Sequence, residues 1–143
     1  MSNSIYSEVI WWPFRLWVLF ISLDLALIIS VGVALTDSQI LLFSFLLAIL
    51  TVILAFKTRL IIDYKDNLLR VGRAKLEKEF MGNVIELSES EFKLARNSQS
   101  NFLALRFWVK TGIKIEINDK RDPNLNWVIS TRNSSALKQA LRS

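Results

Sequence analysis

The chain is 143 residues long, carries a formal net charge of +5, and contains neither cysteine nor histidine. That composition excludes disulfides, thiolate and imidazole metal sites, and every Ser-His or Cys-His catalytic arrangement. The charge is lopsided: Arg15 alone stands against Glu8, Asp24 and Asp37 in residues 1–56, whereas residues 57–143 hold 17 Lys and Arg against 10 Asp and Glu.

The segment from Tyr6 to Pro13 leads into an apolar run reaching Phe56, broken only by Thr36-Asp37-Ser38-Gln39. Crossing a bilayer takes about 20 apolar residues, with roughly 17 tolerated. The two halves, about 13–35 and 40–56, are 23 and 17 residues long. Four linking residues suit a tight turn between antiparallel helices, so the pattern predicts a transmembrane hairpin. Lys57 and Arg59 follow the second helix and the turn has no basic residue. Both termini are therefore expected in the cytoplasm. The first helix does not read as a secretory signal, because residues 1–12 lack a positive n-region, the apolar run is too long, and no A-x-A site follows.

Trp11, Trp12 and Trp17 cluster at the cytoplasmic end of the first helix, where indole rings favour the headgroup layer. Arg15 lies within snorkelling reach of the same layer, and Lys57 and Arg59 complete the set of interfacial anchors. Pro13 fits a first-turn position. Asp24 is the midpoint of the 13–35 span, and reflecting the hairpin about its turn brings Thr51 to the same depth. A hydrogen bond between them is expected, with the acid neutral because hydrocarbon disfavours its charged form. The alternatives are pairing of Asp24 with a basic residue on another membrane subunit and a proton relay.

From Arg59 the hydrophobic period changes to two. Strands are predicted at 60–65 and 68–71 around an Asp66-Asn67 turn, then after Gly72 at about 75–80, and at 84–87. Ser88 and Glu91 form a capping box opening a helix at about 89–96. Strands follow at 102–109, at 113–117 after a Thr111-Gly112 turn, and at 127–130 after a loop kinked at Asp122-Pro123. A last helix, about 134–142, is capped by Asn133 and presents Leu137, Ala140 and Leu141 on one face. The expected fold class is thus α+β. A transmembrane helical hairpin (1–58 with its N-terminal segment) precedes a small antiparallel β-barrel or sandwich (59–143) with a C-terminal capping helix, the architecture of a pleckstrin-homology-like domain.

Tyr6-x-Glu8-x-x-Trp11-x-Pro13, Leu69-Arg70-Val71-Gly72, Arg106-x-Trp108 and Asp122-Pro123-x-x-x-Trp127-x-x-Ser130-Thr131-Arg132 together resemble a family of small actinobacterial membrane proteins of unknown function. Asn126 stands where an aromatic often precedes the tryptophan, and Ser134 where proline often starts the last helix. The resemblance implies two transmembrane helices and a cytoplasmic domain of the bacterial pleckstrin-homology type in a bacterial plasma membrane. It assigns no activity.

Two clusters are candidate surfaces. Asp122, Trp127, Thr131 and Arg132, with Arg106 and Trp108 two apart on one strand face, could set an indole platform beside a guanidinium for a protein partner. The competing reading packs Trp127 in the core and pairs Arg132 with an acid such as Asp122. Arg70, Arg73, Lys75 and Lys78 fall in the second and third strands and their connection, a candidate anionic-lipid contact that Glu77 and Glu79 interrupt. Nucleic acid is a poor partner, because no recognition helix or aromatic-and-basic strand face is evident. No catalytic residue, metal site or cofactor is assigned. The expected function is a non-catalytic, membrane-anchored interaction module or accessory subunit, with the bilayer and another integral membrane protein or a second copy as partners. The alternative is an anionic-lipid surface sensor, and a membrane-bound enzyme ranks last.

Overall fold

Two apolar segments form helices α1, Phe14–Gly32, and α2, Asp37–Thr58. The computed structural model describes residues 5–142 and separates a unit spanning Trp11–Arg59 from a second one, built from the chain up to Ile10 and from Leu60 onward. Both helices are long and apolar enough to cross a membrane, with mean hydropathies of 2.1 and 2.6. No residue of α1 is buried, and in α2 only Thr51 and Ala55 are. A helix that is apolar on every side and stays uncovered is unsuited to water.

The helix ends differ from those predicted. α1 stops at Gly32, where the amides of Ala34 and Leu35 turn back to the carbonyls of Val31 and Gly32. Residues 36–39, expected as the link, instead open α2. The Thr36 amide donates to Gln39 Oε1 at 3.0 Å, and Asp37 places a negative charge on the positive end of the helix dipole. The link is the apolar stretch before Thr36.

In the second unit, β1 (Tyr6–Ile10), β2 (Leu60–Lys65), β3 (Leu68–Val71) and β4 (Ala74–Glu77) form an antiparallel sheet in the order β1-β2-β3-β4. β1 corrects the expectation that residues 6–10 merely approach the membrane. Its buried and half-buried Tyr6, Glu8 and Ile10 alternate with exposed Ser7 and Val9. Ile10 pairs with Leu60, so the whole apolar segment is inserted between two register partners. Asp66 and Asn67 turn β2 into β3 with φ of 50° and 60°, the two positive values of a type I′ turn. Gly72, φ 61°, turns β3 into β4.

A 3-10 turn, Lys78–Phe80, leads into β5 (Met81–Leu87) and α3 (Glu89–Arg96), whose start is the capping box of Ser88 and Glu91. β6 (Asn101–Ala104), β7 (Gly112–Ile117) and β8 (Asn126–Ser130) complete a second sheet in the order β5-β7-β8-β6, and α4 (Ser134–Arg142) ends the chain. β6 runs parallel to β8, against the expected all-antiparallel arrangement. The predicted strand 102–109 also stops at Ala104. β6 lies on one side of β8 and β7 on the other, so residues 105–111 must cross the Ser130 end of β8 instead of extending. Polar contacts hold the crossing: the Arg106 amide donates to Ser130 Oγ at 2.9 Å, the Val109 amide to the Arg106 carbonyl at 2.9 Å, and the Thr111 hydroxyl to the Thr131 carbonyl at 2.8 Å.

Inward residues of both sheets, among them Ile62, Tyr64, Leu69, Ile113 and Ile129, share one core with Leu137, Ala140 and Leu141 of α4. A smaller cluster joins Phe92 of α3 to Leu87 and Val128. The sheets remain two separate four-stranded layers, so the expected barrel does not close.

Candidate functional site

In α1 the only acid is Asp24, and the helix period brings it to α2. Thr51 Oγ1 donates to Asp24 Oδ2 at 2.8 Å. Both residues line a groove of about 360 Å³ along the hairpin, whose other walls are Trp17, Ile21, Leu25, Ile28, Ser44, Ala48 and Val52. Ser44 is already committed, donating to the Ile40 carbonyl at 2.8 Å. Beside the Trp17 indole, Asp24 and Thr51 are the groove's remaining polar side chains.

The start of α1 and the end of α2 are tied by aromatic and polar contacts. Trp12 Nε1 donates to Thr58 Oγ1 at 2.7 Å, and its ring lies 4.5 Å from Phe20 and 5.3 Å from Trp17. Trp11 meets Phe56 edge-on at 5.0 Å, and the Arg59 guanidinium lies 5.4 Å from both rings. Arg15 and Lys57 are exposed in the first and last turns. A girdle of indoles and cations at one end of two apolar helices is the arrangement an interface favours.

In the sheet unit a polar network forms around Glu8. Its carboxylate accepts from Tyr6 Oη at 2.7 Å, Thr131 Oγ1 at 2.5 Å and the Arg132 amide at 3.0 Å. Thr131 Oγ1 in turn accepts from the Asn133 amide at 3.1 Å, one residue before α4. Burial, aided by the Glu8 carboxylate and opposed by Thr131, pushes the Tyr6 hydroxyl up to about 12. Three donors converge on one acid, so the network works as a clasp between β1 and the approach to α4. Sequence reasoning named Thr131 and Arg132 but not Tyr6 or Glu8 as site residues. The period-two alternation of Tyr6, Glu8 and Ile10 was the signal that would have found them.

The other expected groupings come apart. Asp122 lies in the β7–β8 loop and accepts from the amide and side chain of Asn124 at 2.8 and 2.9 Å. Arg132 follows the far end of β8, a strand length away. Trp127 is buried against Phe102 at 4.6 Å, so its indole forms core and not a platform. Arg106 and Trp108 do not share a strand face, because both lie in the crossing segment. Arg106 Nη1 donates to the Leu105 carbonyl at 2.7 Å, and Trp108 packs edge-on against Phe107 at 4.8 Å. Arg70 faces Lys75 across β3 and β4 and Asp63 across β2. Arg73 sits in the β3–β4 turn, and Lys78 is half-buried in the 3-10 turn.

The family described as "Protein of unknown function (DUF3093)" matches residues 5–141. The chain belongs to the DUF3093 family. No curated protein and no solved structure matches it. The match begins just before β1 and ends within α4. Both halves of the Glu8 clasp and the whole apolar hairpin therefore lie inside what defines the DUF3093 family.

Proposed function

We infer that this DUF3093 protein is a membrane-anchored, non-catalytic interaction module, an accessory subunit that joins other integral membrane proteins in a bacterial plasma membrane. The observation that carries this is Asp24: a carboxyl held by Thr51 in the wall of an open groove, on two helices long and apolar enough to cross a membrane. Ionisable side chains at such positions are costly and are kept for contacts within the membrane. The placement of Lys57, Arg59 and the basic sheet unit supports a cytoplasmic location for both termini. Two sheets sharing a core with a terminal helix support a pleckstrin-homology-like architecture, from which the open layers and the parallel β6–β8 pair depart.

Purification of the full chain in mild detergent, with the mass of the complex determined in its native state, tests the reading. A stoichiometric membrane partner is expected, and a lone monomer defeats it. Because the sequence has no cysteine, Ser38→Cys with a membrane-impermeant thiol reagent reports orientation. Labelling from outside intact cells is expected.

A second reading draws on the exposed Arg70–Lys75 pair beside Arg73, which would attract anionic lipid at roughly 1 kcal/mol per basic residue near the surface. If charge reversal at these positions leaves the protein's preference among nanodisc lipids unchanged, this reading fails.

A further inference from the structure

We propose that the groove beside Asp24 receives a transmembrane helix of a different protein, one that carries a lysine or arginine at mid-depth. The proposal rests on the membrane reading above and names the chemistry of the partner. Ser44, Ala48 and Thr51 recur on α2 at spacings of four and three, giving the groove a wall of small side chains that a helix can approach closely. Thr51 donates to one Asp24 oxygen and so fixes the carboxylate. An ionised carboxylate has about four acceptor positions, and one donation leaves most of them open.

In hydrocarbon a lone charge there has no solvent to turn to, and a cation at the same depth offsets the cost of ionising the acid with an attraction little weakened by the surroundings. This chain cannot provide the cation. No Lys or Arg occurs between Leu16 and Phe56. The nearest cation that a second copy inserted in the same orientation would offer is Lys57, six residues from Thr51 and so about 9 Å along the helix axis from the Asp24 depth at 1.5 Å per residue, with Arg15 farther still. Anionic lipid headgroups carry the wrong sign. Charge complementarity therefore selects a basic helix from another protein.

The test uses the full chain in lipid nanodiscs, labelled through Ser38→Cys. It adds two synthetic Leu/Ala transmembrane peptides that differ only in Arg or Leu at the central position. Energy transfer should show the Arg peptide binding roughly tenfold tighter. Asp24→Asn, which preserves side-chain shape, should erase that preference, and Thr51→Val should retain it. Equal binding of the two peptides, or a preference that survives Asp24→Asn, overturns the proposal. Energy transfer between two copies of the chain that Asp24→Asn abolishes would give the groove to a second copy, and overturns it too. A chain that inserts but shows no preference defeats only this proposal. A chain recovered outside the bilayer defeats the membrane reading with it.

Discussion

Thr131, wholly buried at the end of β8, donates its hydroxyl to the carboxylate of Glu8 on β1, 123 residues earlier. The same carboxylate holds Tyr6 and the Arg132 amide. One acid thus ties the strand just before the apolar hairpin to the segment that starts the last helix. Hydrogen bonds to charged groups contribute about 1.5–3 kcal/mol each. Glu8→Ala removes three at once and strands a buried hydroxyl, so a loss of roughly 3 kcal/mol or more is expected. Thermal unfolding in detergent, followed by tryptophan fluorescence, measures it. Glu8→Ala and Thr131→Val should be strongly non-additive in a double-mutant cycle, and simple additivity would dissolve the clasp.

The Tyr6 hydroxyl gives that clasp an alkaline limit. Its value rises from the ordinary 10.0 to about 12 in the folded chain, mainly through burial. Between those values the unfolded chain loses the proton that the folded chain keeps, so stability falls as pH rises through that window. The contribution is fully present below pH 10. Tyr6→Phe should flatten the decline between pH 10 and 12 relative to the parent. Parallel curves for the two proteins would refute the assignment.

Within the hairpin, Thr51→Val keeps the side-chain shape and removes the donor to Asp24. Polar contacts of this kind in membranes average about 0.6 kcal/mol and reach about 1.7. A loss within that range is expected when unfolding of the full chain is followed in mixed detergent micelles. Asp24→Asn still accepts from Thr51 and should leave hairpin stability nearly unchanged.

Gly112→Ala should be among the most damaging single changes. A Cβ there would lie 2.4 Å from the Ile129 carbonyl oxygen and 2.4 Å from the Phe92 ring. A β-sheet carbonyl cannot step aside, so a cost of about 2–3 kcal/mol is expected. Phe92→Leu should fail to rescue it, because the backbone clash remains. Full rescue would place the constraint in the side chain alone.

Gly112 also illustrates what local reading misses. Thr111-Gly112 looks like a turn from its neighbours, yet Gly112 is the first residue of β7, paired with Ser130 and Leu87. Glycine is needed there for the close approach of the Ile129 carbonyl and the Phe92 ring, and nothing within a few residues announces that. The crossing segment behaves likewise. The alternation in residues 102–109 is compatible with a strand, and only the placement of β6 on the far side of β8 bends it away at Ala104.

Features that depend on a few consecutive residues were legible in the chain itself. Two apolar stretches declared their helices, Asp66-Asn67 its turn, Ser88 with Glu91 a helix start, and Leu137, Ala140 and Leu141 one buried face. Hydrophobic period and backbone preference act over one turn or one strand, so they survive without a partner. Strand order, the parallel β6–β8 pair, the open layers and the Glu8–Thr131 clasp were decided only by tertiary structure. Each depends on which distant surfaces meet, and a one-dimensional pattern records a residue's polarity but not the neighbour that folding delivers.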